Sequence, residues 1–175
     1  MRTGFTWRKR AAVAAVAGAA AAAMTVAVPA GASQLAAHGA AKVTGTEHFQ
    51  IMTTSATSSK ASTIAWGVFT AGGVDHMGNT VDTIVFPGGS VKVKHSSGTG
   101  PQSFNPKTCL MQINQHGTYT FVGGTGKYKG ITGHGKYTLS IVGIGAKTKS
   151  GACSQTAAPV AWQQVVDATG PVTLP

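Results

Sequence analysis

The chain has 175 residues, fourteen lysines and arginines against four acids, and a formal net charge of +10. Every arginine lies within the first ten residues, so the rest of the chain is basic through lysine alone. Nucleic-acid readers depend on arginine for bidentate base contacts and for stacking, and this distribution argues against a nucleic-acid partner.

The N-terminus accounts for part of the charge. Arg2, Arg8, Lys9 and Arg10 form a basic region, Ala11 to Val28 carries no charge, and Pro29-Ala30-Gly31-Ala32 supplies small residues. That order is the pattern of a secretory signal peptide, residues 1–32, cleaved near Ala30 or Ala32. A membrane-anchoring helix is the alternative, for a run at the lower length limit for spanning a bilayer. After cleavage a secreted, extracellular chain keeps 143 residues, with ten lysines and four acids (Glu47, Asp75, Asp82, Asp167), a net charge of +6. No stable membrane insertion is expected of it. The lysines read as a solvated surface, with loose attraction to anionic polymer or membrane as the functional alternative.

Residues 33–42 read as a flexible leader and 43–175 as one domain. Val43 to Ile51 alternates, with Glu47, Phe49 and Ile51 on one face and His48 and Gln50 on the other. Thr63 to Thr70 predicts a second strand ended by Gly72-Gly73, and Thr80 to Phe86 a third closed by Pro87-Gly88-Gly89. Ser90 to His95 is a fourth, followed by a Gly/Pro/Ser loop to Thr108. Cys109 to Val122 alternates with Cys109, Met111, Ile113, Gln115, Tyr119 and Phe121 on one face; Thr132 to Gly145 does so with Tyr137, Leu139 and Ile141; Pro159 to Thr169 is the last run. No helical period follows the leader. Regularly spaced strands with glycine turns imply an all-β antiparallel sandwich or barrel, and seven or eight strands suit a small closed barrel.

Two cysteines, Cys109 and Cys153, in an exported chain imply one disulfide, two free thiols being the alternative. They do not make a zinc site, and the histidines show no His-x-His spacing, so no metal or other cofactor is expected. No Gly-x-Ser-x-Gly elbow occurs.

Residues 121–135 read FVGGTGKYKGITGHG. A phosphate loop would need glycine at Phe121 and Ser or Thr at Tyr128; a dinucleotide fingerprint would need glycine at Lys129. The segment reads instead as a strand turn. Gly123, Gly124, Gly126 and Gly130 would supply positive φ or close backbone approach, and Tyr128 and Tyr137 would pack on the turn. The order GGTGKYxGxxGxG resembles the signature of the allene oxide cyclase barrel-like superfamily, which includes the plant dirigent proteins. The resemblance is strongest over residues 119–140 and implies an eight-stranded antiparallel β-barrel with a central hydrophobic cavity. In plants that barrel cyclises an unsaturated epoxide or guides radical coupling. Dirigent-type sites are associated with cavity arginine and aspartate, and the exported chain has no arginine.

Glu47 and Asp82 are the candidate catalytic acids, because each shares a face with apolar residues that would raise its pKa. Asp167 reads as a surface acid near a strand end. Trp66, Phe86, Met111, Tyr119, Phe121, Tyr137 and Trp162 are the large side chains expected inside, as core or as the wall of a cavity. Trp66, Phe86, Met111, Gln115, Tyr119 and Tyr137 are the candidate ligand contacts. Two functions follow: a barrel that binds a small apolar or aromatic molecule, or a cofactor-free cyclase or isomerase. Whether copies of the chain associate is left open.

Overall fold

A computed structural model describes residues 41–175. The expected signal peptide and most of the leader lie outside the described residues. The chain forms nine strands: β1 (Val43–Thr53), β2 (Lys60–Trp66), β3 (Ala71–His76), β4 (Val81–Phe86), β5 (Gly89–His95), β6 (Gln102–Asn105), β7 (Leu110–Gly124), β8 (Thr132–Ile144) and β9 (Ala161–Leu174). Eight of them close an up-and-down antiparallel barrel in the order β1–β2–β3–β4–β5–β7–β8–β9. β9 returns to β1 from Val43↔Leu174 to Thr53↔Gln164. β6 lies outside this ring and pairs only with the first residues of β7.

Three elements differ from the sequence expectation. Gly72-Gly73 does not end a strand but lies within β3, and the chain reverses earlier, at Gly67–Thr70, where Gly67 has φ 137°. A Cβ on Gly73 would stand 2.6 Å from the Phe86 ring, so this glycine seats an aromatic ring rather than making a turn. The loop expected up to Thr108 also contains β6, and the last strand runs on to Leu174 rather than stopping at Thr169.

Alternation drives the inside–outside partition. Phe49 and Ile51 (β1), Ala61, Thr63 and Ala65 (β2), Ile84 and Phe86 (β4), Val91 and Val93 (β5) and Tyr119 and Phe121 (β7) are buried. The glycine-rich end is plugged. Phe69, Phe86 and Tyr128 pack mutually, with ring centroids 5.0–5.7 Å apart. Val172 and Ile131 are buried in the same cluster. At the other end β7, β8 and β9 overshoot the barrel: β5 last pairs at His95↔Tyr119, while β7 begins at Leu110. Cys109 and Cys153 are joined in a disulfide that ties the loop after β8 to the start of β7.

The glycine segment is a strand reversal. A single 3-10 turn, Gly126–Tyr128, follows β7. Gly126 has φ 56° and Gly130 φ 80°, values that a β-branched residue tolerates poorly. A Cβ on Gly124 would collide with the Tyr128 carbonyl, whereas Gly123 has open space around it and no positive φ. Thr125 ties this turn to β5: its Oγ1 accepts from the Ser90 N–H at 3.0 Å and meets the Ser90 hydroxyl at 2.9 Å. Thr125→Val removes both contacts and should cost about 1 kcal/mol of stability. An unchanged denaturation midpoint would contradict that role.

Candidate functional site

Between the aromatic plug and the overshooting strands lies a half-open cavity of about 200 Å³. Its walls are apolar: Phe49, Ile51, Ile84, Val93, Phe121, Leu139, Val166 and Ala168. Its polar side chains are Asp75, Asp82, His95, Tyr119, Tyr137 and Gln164.

Each polar group is placed by a local feature of its strand. Asp75 is the last inward residue of β3, directly opposite Ile84 of β4 and Ala61 of β2. It is 1% exposed and its Oδ1 has no hydrogen-bond partner in the protein. Burial, and secondarily the charge of Asp82, push its carboxyl up to about 7. Asp82 is the second residue of β4; its Oδ1 accepts from the Gly78 N–H at 2.7 Å. Its Oδ2 lies 3.5 Å from His95 Nε2.

The two tyrosines lie over glycines. Tyr137 faces Gly117 across the β7–β8 ladder, where a Cβ would stand 2.6 Å from its ring. It therefore lies across β7 and donates its hydroxyl to the Ser96 carbonyl at 2.9 Å. Tyr119 lies over Gly135 in the same way, with a Cβ there 2.6 Å from the ring. Gly170 follows on β9, opposite Glu47 of β1. The side-chain-free strip lets the Tyr119 ring lie over the wall, an aromatic-over-glycine device. Its hydroxyl is buried without a partner, and burial together with the nearby Glu47 charge pushes it up to about 12.

The candidate residues named from sequence separate into four groups. Asp82, Tyr119 and Tyr137 line the cavity. Glu47 is fully buried but sits towards the plugged end, where its Oε2 accepts from the Phe69 N–H at 3.1 Å. Burial raises its pKa, opposed by the backbone N–H groups of Phe69 and Val68. Phe86 belongs to the plug, and Met111 and Gln115 sit on β7 beyond the cavity lining. Trp66 is a correction: it points outward, 42% exposed, stacked on His48 with centroids 5.3 Å apart. The inward positions of β2 are the small residues Ala61, Thr63 and Ala65, because aromatic rings from β1 and β7 already fill the space they face. Tyr137 is likewise at the open end of the barrel; of the two tyrosines expected on the glycine turn, only Tyr128 packs there.

Asp75, His95, Met77 and Gln164 are cavity residues that the sequence reading missed. Asp75 was hidden by the glycine pair two residues before it. Asp167, by contrast, is exposed and accepts from Gln50 Nε2 at 3.0 Å. Among the described residues no group of three or more His, Cys, Asp or Glu side chains is arranged to hold a metal ion. No described helix is long and apolar enough to cross a membrane.

These features define an eight-stranded β-barrel with an acid-bearing apolar cavity open at one end. No protein-family model, curated protein or solved structure matches the chain.

Proposed function

We propose that this is a secreted barrel that holds a small apolar or aromatic molecule in its lumen, and that it is a bacterial-type member of the allene oxide cyclase barrel-like superfamily. The observation that carries the binding reading is the half-open cavity of about 200 Å³ walled by Phe49, Phe121, Ile84, Val93 and Leu139. An engineered apolar cavity of about 150 Å³ stays dry and takes benzene, while drug-sized ligands need roughly 300–1,000 Å³. The ligand class is therefore one or two rings. The disulfide suits an oxidising compartment. The superfamily reading rests on the glycine motif of residues 121–135 together with an eight-stranded antiparallel barrel.

Native mass spectrometry of the mature protein from its own culture supernatant tests the binding reading. A reproducible extra mass of roughly 100–200 Da, lost on denaturation, is expected from a cavity of this size. A protein that is recovered bare, and whose cavity-lining amides do not respond to added small aromatics such as indole, would contradict it.

A cofactor-free cyclase or isomerase is the second reading, favoured by Asp75. A buried carboxyl that titrates near neutrality is suited to donate and recover a proton within a water-poor lumen. In that reading the acid is Asp75 rather than Glu47, which lies below the cavity.

A further inference from the structure

The charges of this barrel are segregated. All ten lysines of the described chain are exposed, and no arginine occurs there. Three of its four acids, Glu47, Asp75 and Asp82, stand on the inward face. The only basic side chain lining the cavity is His95, which is already set against Asp82. A purely hydrocarbon ligand would leave Asp75 Oδ1 without a partner, a costly state for a buried polar atom. An anionic ligand would meet two carboxyl groups. An ammonium would supply N–H donors to Asp75, an opposite charge to both aspartates, and a cation for the rings of Phe49, Tyr119, Phe121 and Tyr137.

Resting on the lumen-binding reading, we infer that the molecule held in the cavity is a small organic amine, its ammonium against Asp75 and its ring body among Phe49, Tyr119 and Phe121.

This ligand chemistry has a definite pH signature. The titratable groups that line the cavity with Asp75 are Asp82 on β4, His95 on β5, Tyr119 on β7 and Tyr137 on β8; Glu47 on β1 lies deeper, near Tyr119. β2 presents no titratable group inward, only Ala61, Thr63 and Ala65 with Lys60 outside, and β9 presents the neutral Gln164. An ammonium binds the ionised carboxylate. Its affinity climbs as pH rises through about 7, where Asp75 titrates, and then levels off. The amine itself keeps its charge until about pH 10. A neutral oxygen acceptor would bind the protonated acid, and its affinity would fall over the same range.

The test uses isotope-labelled mature protein titrated with phenethylamine, its neutral isostere phenethyl alcohol, and ethylbenzene. The amides of Val93, Leu139 and Val166, which line the cavity, are followed near pH 5.5 and near pH 8.5. The amine should tighten about tenfold between the two, and at the higher pH should bind about tenfold better than the alcohol. Asp75→Asn should abolish both differences, while ethylbenzene still binds and reports an intact cavity. Asp82→Asn, with Asp75 intact, should keep the preference for the amine but shift the pH step downward. Alcohol binding as tight as the amine at the higher pH, with ethylbenzene still bound, would overturn the amine assignment and leave lumen binding standing. No response to any of the three would overturn both.

Discussion

Near pH 8, Asp75→Asn should melt roughly 10 °C above the wild type, and near pH 4 the two should melt together. The difference follows from proton linkage. Asp75 titrates at about 7 in the folded barrel against an ordinary aspartate value of 3.8. The folded state therefore holds its proton over a range where the unfolded chain has lost it. Stability is fully present below the unfolded value, declines as pH rises towards 7, and is flat above it. The full cost of ionising the buried carboxyl is on the order of 4 kcal/mol. Asparagine keeps the shape and cannot ionise, so its profile lacks this decline. Glu47 is raised by burial too and contributes with the same sign; the comparison between variants removes its share. Paired thermal melts from pH 4 to 8 decide the matter. A variant no more stable than the wild type at pH 8 would mean that Asp75 finds a partner the cavity does not otherwise offer it.

The same residue shows how much of the site was legible in the sequence. Tyr119 and Phe121, and Tyr137 and Leu139, were readable as inward pairs because β7 and β8 alternate over long runs with polar residues between them. Asp82 was readable for the same reason, two positions before Ile84. Asp75 was not, because β3 has six residues and opens Ala-Gly-Gly, a composition shared with turns. What makes it a strand is tertiary: Gly73 lies beneath the Phe86 ring, a contact made by the following strand. Trp66 was misplaced by the rule that large apolar side chains go inside. In a narrow barrel, lumen volume limits that rule. Phe49, Tyr119 and Phe121 meet one another at 5.8–6.4 Å, and the facing positions on β2 must be small. Ile64 and Trp66 then fall outside by alternation, although both are apolar. Glu47 was correctly read onto an inward face, but depth along the barrel is not encoded by period. Only the register with β9, Glu47↔Gly170, sets it towards the plugged end.

Breaking the Cys109–Cys153 bridge should lower the stability of the barrel by about 4 kcal/mol, because the closed loop, with a sequence separation of 44, restricts the unfolded chain. The loop contains β7 and β8, but the bridge itself joins two segments beyond the cavity, so its effect should fall on the unfolded state rather than on the site. Cys109 adds a second, smaller term. It is fully buried, and with φ 59° it is the one non-glycine residue in the left-handed region among those described. The bridge and the hydrogen bond from the Gly145 N–H to the Cys109 carbonyl, 2.9 Å, hold it there. Replacing Cys153 with serine removes the bridge and leaves Cys109 to bear that conformation alone. A Cys109→Gly, Cys153→Ser double variant should regain about 1 kcal/mol over Cys109→Ser, Cys153→Ser, since glycine accepts a positive φ without penalty. Thermal melts with and without reductant give the first comparison, and the two double variants give the second. Oxidised and reduced wild type melting together would remove the bridge as a source of stability. If the melting point falls while ligand-induced shifts at Val93 and Val166 persist below it, the disulfide acts on the unfolded chain and the cavity is held by the barrel alone.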